Sequence, residues 1–160
     1  MKKRGQLLGQ PIVMIFALIV GALILAWGIF QAYKLMNIAR EVEVADYVTT
    51  LRKDVERYYY FEPGSSGRFK VSLPSYYNYI CFASHEIPFF GSTPKPPNYN
   101  AAFVALRNNS NIFVYSQKEV LTYNVPYLRA PANQNPLCVK NQMNIMLTSR
   151  GTYVEVSKGS

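Results

Sequence analysis

Apolar and polar positions fall into three successive patterns along the chain. The first is an unbroken apolar run. Residues 11–33, PIVMIFALIVGALILAWGIFQAY, are 23 positions without a charged side chain. As a helix rising about 1.5 Å per residue, such a run spans about 34 Å, enough to cross a hydrocarbon core of about 30 Å. A helix apolar on every side has little place in a soluble protein of this size, so a buried core helix is the weaker alternative. A cleaved secretory signal would share the basic start, Lys2-Lys3-Arg4, but it has a shorter apolar stretch and a small-residue cleavage site, and no Ala-x-Ala follows the run here. The pattern therefore predicts a basic N-terminus over 1–10 and a transmembrane helix over 11–33, uncleaved or trimmed only ahead of the apolar run.

The second pattern is amphipathic. Residues 34–60 contain neither Gly nor Pro, and Val44, Val48, Leu51, Val55 and Tyr58 recur at spacings of three and four with charged residues between them. This predicts an amphipathic extension of the same helix over 34–60, giving an element about 70 Å long if it is unbroken over 11–58. The apolar stripe has two readings. It packs on the chain's own following domain, which is the favoured one, or it contacts other copies.

The third pattern begins at Phe61-Glu62-Pro63-Gly64-Ser65-Ser66-Gly67, a strong helix stop. Beyond it the period changes to two: Phe69, Val71 and Leu73 alternate with Arg68, Lys70 and Ser72. Further short strand candidates lie at 79–82, 102–106, 112–115, 137–139, 143–148 and 152–156. Ser149-Arg150-Gly151 joins the last two as a hairpin, and Asn108-Asn109-Ser110-Asn111 joins another pair. Thr93-Pro94-Lys95-Pro96-Pro97 and the stretch 126–136 read as long surface loops. The predicted fold class is α+β: one long N-terminal helix, membrane span plus amphipathic extension, followed by a small antiparallel β domain over 61–160, a sandwich or a curled sheet.

Charge sets the expected sidedness. Lys2, Lys3 and Arg4 crowd the first flank of the span without an acid, whereas Lys34 and Arg40 on the second are soon joined by Glu41, Glu43 and Asp46. The positive-inside tendency places the N-terminus in the cytoplasm and the C-terminal domain outside the cell membrane, with Trp27 and Tyr33 near the outer interface. In an exported domain, Cys81 and Cys138 are expected to form a disulfide closing a loop of more than fifty residues, for about 3–4 kcal/mol in the chain-entropy picture. The alternative is two buried thiols. A metal site is not expected, because His85 is the one histidine and no CxxC spacing occurs.

Candidate chemistry is sparse. His85 follows Cys81 by four residues, but in a strand-then-loop segment that spacing does not aim one at the other. The four acids after residue 60, Glu62, Glu86, Glu119 and Glu155, are too scattered for a catalytic pair, and no phosphate-binding glycine loop appears. The expectation is no enzyme, no cofactor and no metal. Nine basic residues against those four acids leave the domain at about +5, and the chain carries thirteen tyrosines. Arg68, Lys70, Arg107, Lys118 and Arg129 are dispersed rather than clustered, which argues against nucleic acid as a partner. Asn108 begins a three-residue glycosylation sequon, Asn108-Asn109-Ser110. Within the span, Ala17, Gly21, Gly28 and Ala32 fall within about 60° on a helical projection, with Ile24 beside them, a small-residue face of the kind through which membrane helices associate. The expected partners are membrane lipid and, through this face, other copies or another membrane protein.

Lys3-Arg4-Gly5-Gln6 ahead of the apolar helix resembles the class III, prepilin-type signal of archaeal type IV pilin-like proteins. That resemblance implies cleavage between Gly5 and Gln6, and helix first, β domain second is also the pilin order. Gln10 stands at the fifth position of such a mature chain, where many pilins carry a glutamate that sets register against a neighbouring subunit. Pro63-Gly64-Ser65-Ser66, Ser72-Leu73-Pro74, Ile80-Cys81-Phe82, Pro136-Leu137-Cys138-Val139 and Arg150-Gly151-Thr152-Tyr153-Val154 are similar to segments of small single-span proteins of archaea with reduced genomes. The resemblance implies a structural subunit of a surface filament. The residues read alone fit equally a membrane-anchored binding or accessory module of a membrane complex.

Overall fold

The apolar run and the amphipathic stretch form one element in the computed structural model, which describes residues 9–86 and 109–159. Helix α1 runs Gly9–Tyr59. It ends where Tyr60 turns and Pro63-Gly64 follow, with Arg57 in its last turn, where a cation suits the partial negative charge of a helix C-terminus. The chain divides into two compact units, Met1–Glu41 and Val42–Ser160. In the first, large apolar side chains such as Ile12, Phe16, Leu18, Leu25 and Phe30 are exposed, up to 74% for Leu18.

The second unit contains the end of α1 and, among the described residues, eight strands: β1 (Ser66–Lys70), β2 (Tyr77–Phe82), β3 (Ile112–Ser116), β4 (Val120–Tyr123), β5 (Leu128–Arg129), β6 (Leu137–Lys140), β7 (Asn144–Ser149) and β8 (Val154–Lys158). They make two four-stranded sheets, in the orders β1-β7-β8-β5 and β4-β3-β2-β6. All pairings are antiparallel except β5 with β8, which is parallel over Leu128↔Val154 and Arg129↔Glu155. The α+β layout is thus as the pattern predicts, with one parallel pair where only antiparallel ones were expected.

Val44, Tyr47, Val48, Leu51 and Val55 are buried in the domain's main apolar cluster, with Tyr58 packed at its margin. The amphipathic stripe therefore belongs to the core of its own domain. Both sheets contribute to that cluster: Ile80, Phe82, Ile112 and Val114 from one, Ile145, Leu147, Val154 and Val156 from the other. Because side chains alternate across a strand, the intervening residues Cys81, Phe113, Tyr115 and Cys138 form a second buried cluster.

Four local expectations change. The first strand begins earlier, at Ser66, and ends at Lys70, although Val71 and Leu73 are buried beyond it. The link between β7 and β8 is Arg150 to Tyr153 rather than 149–151, with Ser149 paired to Val154 and the Arg150 N–H donating to the Tyr153 carbonyl at 2.8 Å. Strand β4 lies where none was expected. The stretch 126–136, expected as a surface loop, contains β5 and buries Leu128, Ala130 and Asn135. It can do so because the buried amide of Asn111 supplies what its backbone lacks. Asn111 Nδ2 donates to the carbonyls of Val125 (2.7 Å) and Leu128 (3.1 Å), and its Oδ1 accepts from the Val125 N–H at 2.8 Å. The strand candidate at 102–106 and the loop at 93–97 lie outside the described residues.

Candidate functional site

Each predicted site residue has a definite place or lies outside the described region. Gly5, Gln6 and Asn108 are outside it. Ala17, Ile24, Gly28 and Ala32 are exposed on α1 and Gly21 is nearly so; no described atom comes within 4 Å of where a Cβ would sit on Gly21 or Gly28. The small-residue face is open within a single chain. The helix is also long and apolar enough to cross a membrane, with a window of mean hydropathy 2.8.

Cys81 and Cys138 are bonded to each other. They are direct cross-strand partners in the antiparallel pairing of β2 with β6, with Cα atoms 4.0 Å apart. Alternation turns both away from the main cluster that holds Ile80, Phe82, Leu137 and Val139. With Cys81 so engaged, no free thiol stands near His85, which sits in an exposed turn. Among the described residues no group of three or more His, Cys, Asp or Glu side chains gathers as a metal site would need.

A different feature was not visible from sequence. At its start β2 carries a register irregularity against β3, between Tyr77 and Tyr79, which leaves Asn78 as the extra, exposed residue. Across from it, the chain leaving β6 turns at Asn141 and Gln142, and Gln142 takes a left-handed conformation (φ 67°) uncommon outside glycine. Asn141 locks this turn to the segment before β2. Its Oδ1 accepts from the N–H groups of Leu73 (3.0 Å) and Gln142 (2.8 Å), and its Nδ2 donates to the carbonyls of Leu73 (2.8 Å) and Tyr77 (3.2 Å). Its own N–H donates to the Asn78 carbonyl at 2.9 Å. Below, the buried Tyr77 donates its hydroxyl to Glu119 Oε1 at 3.0 Å, and Ser116 Oγ accepts from the N–H groups of Lys118 and Glu119.

This framework borders two adjoining, open hollows of about 460 Å³ and 240 Å³. Tyr79, Lys140 and Gln142 line the larger, Tyr76, Gln117 and Lys118 the smaller, and Ser75 and Asn78 line both. Among the described residues no carboxylate lines either one. The arrangement is an open, largely polar surface cleft with two lysines, held in place by the Asn141 contacts. In comparisons with known proteins, no family model, no curated protein and no solved structure matches the chain.

Proposed function

We propose that this is a single-pass, membrane-anchored extracytoplasmic protein that serves as a pilin-like structural subunit of a surface filament. One observation carries the reading: a single helix is apolar and uncovered over its first part and sealed into a β domain over its last. Leu18, Leu25 and Phe30 need lipid or neighbouring helices around them, whereas Val44, Leu51 and Val55 already have their partner. The basic Lys2-Lys3-Arg4 flank supports a cytoplasmic N-terminus, and the disulfide between Cys81 and Cys138 supports an oxidising compartment for the domain. The signal-like Lys3-Arg4-Gly5-Gln6 segment supports processing before assembly.

The intact mass of the protein purified from its native membrane tests this. A filament subunit lacks residues 1–5, and deleting its gene removes surface filaments seen by electron microscopy. A full-length mass with Met1 retained and unchanged filaments contradict the proposal. That outcome favours the second reading, a membrane-anchored binding or accessory module, which the fixed polar cleft recommends.

A further inference from the structure

We propose that the paired hollows beside the start of β2 bind an acidic glycan, a chain of sugars carrying carboxylates. The first argument is charge. Lys140 and Lys118 line the two hollows, and Glu119, which accepts from the Tyr77 hydroxyl, lines neither. An anion entering either hollow meets a cation without a competing acid on the wall. These cations are ammonium groups on flexible stems, which follow a carboxylate wherever a sugar ring presents it. Among the described residues no arginine, whose planar fork grips phosphate in two places, lines the cleft.

The remaining polar groups select hydroxyls. Asn78, Gln142 and Gln117 each offer a donor and an acceptor on one planar amide, and Ser75 adds a hydroxyl. A sugar hydroxyl also donates and accepts, so such walls satisfy it fully. The half-buried rings of Tyr76 and Tyr79 add amphipathic surface for the apolar C–H faces of the sugar.

Two other occupants fit less well. A peptide adding as a strand would pair at the sheet edge, β6, whereas the hollows open at the start of β2, which is paired on both sides, with β3 and with β6. Single-stranded nucleic acid stacks successive bases on a row of open rings, whereas Tyr77 is buried and the two half-buried rings, Tyr76 and Tyr79, line separate hollows. The hollows together offer room for a stretch of chain rather than one small ion. Asn141 contributes as a positioning residue, since its amide is engaged by Leu73, Tyr77 and Gln142.

The site lies wholly within the β domain, so an in-vitro binding assay on the full chain succeeds or fails whether or not the protein forms filaments. The full chain is placed in phosphatidylcholine nanodiscs and titrated with oligogalacturonate, with a neutral cello-oligosaccharide and oligothymidylate as comparison probes. Oligogalacturonate is expected to bind and the other two to bind at least about tenfold more weakly. Combining Lys140→Gln with Lys118→Gln should weaken oligogalacturonate binding about tenfold or more, and Asn78→Ala about threefold, because both remove exposed groups that contact ligand rather than core. Lys158→Gln, an exposed lysine on β8 that lines neither hollow, should leave binding unchanged. Absence of oligogalacturonate binding, equal binding of oligothymidylate, or an equal loss from Lys158→Gln overturns the proposal.

Discussion

The two ends of helix α1 share a backbone and differ in what surrounds their side chains. Leu25 is 69% exposed and Leu51 is fully buried, yet both are leucines in the same helix Gly9–Tyr59. The difference is written in the polar positions. Around Leu25 no charge occurs from residue 11 to 33, so no face is reserved for water. Around Leu51 the apolar residues keep to one stripe, and Arg52, Lys53 and Asp54 occupy the rest. A stripe can be satisfied by one sheet on one side, whereas a helix apolar all round needs an apolar solvent. Propensity makes both ends helical; the surroundings decide how each is stabilised.

Substitutions in the domain should move its stability and leave membrane association alone. The largest effect is expected from removing the disulfide. With a separation of 57 residues, Cys81→Ser with Cys138→Ser should lower unfolding stability by about 4 kcal/mol, measured by urea titration of the full chain in mild detergent. Next, Leu51→Ala should cost about 3 kcal/mol in the same titration, while Leu25→Ala stays within about 0.5 kcal/mol. Equal costs at the two leucines would erase the distinction between the helix ends. Asn111→Ala should cost about 2 kcal/mol, because it strands the buried Val125 N–H and two carbonyls.

The smallest expected effect is at Tyr47, whose ring packs tilted on Phe69 at 5.6 Å and whose buried hydroxyl has no hydrogen-bond partner among the described residues. Tyr47→Phe should be neutral or stabilising by about 1 kcal/mol or less. Burial pushes the Tyr47 phenol well above its ordinary value of 10.0. Above about pH 10 the unfolded chain releases this proton and the folded chain keeps it, so stability is complete below that pH and falls as pH rises further. Urea titrations across pH 9 to 11 should show a shallower alkaline decline in Tyr47→Phe than in the parent.

The legible parts of the fold were those fixed by local pattern. The 23 uncharged residues and the Val44, Val48, Leu51, Val55 spacing marked the helix and its buried stripe, and two cysteines in strand candidates suggested the pair that forms. Strand β4 escaped notice because Val120–Tyr123 is four residues long and half-buried, with no clean alternation. Strand β5 is two residues in a proline-rich stretch, follows Tyr127 in a left-handed conformation (φ 64°), and exists through its distant partners Val154 and Glu155. No local period encodes such a pairing. The cleft was illegible for the same reason. Residues 75–79, 117–118 and 140–142 share no local period or motif, and only tertiary pairing and the Asn141 amide bring them together.

The central claim is that the apolar part of α1 resides in lipid, and fractionation of the untagged full chain measures it most directly. After lysis in high salt and ultracentrifugation, the account predicts that the protein sediments with membranes, floats with them on a density gradient and is released only by detergent. Recovery of the full-length chain, soluble and monodisperse, in the detergent-free supernatant would contradict it.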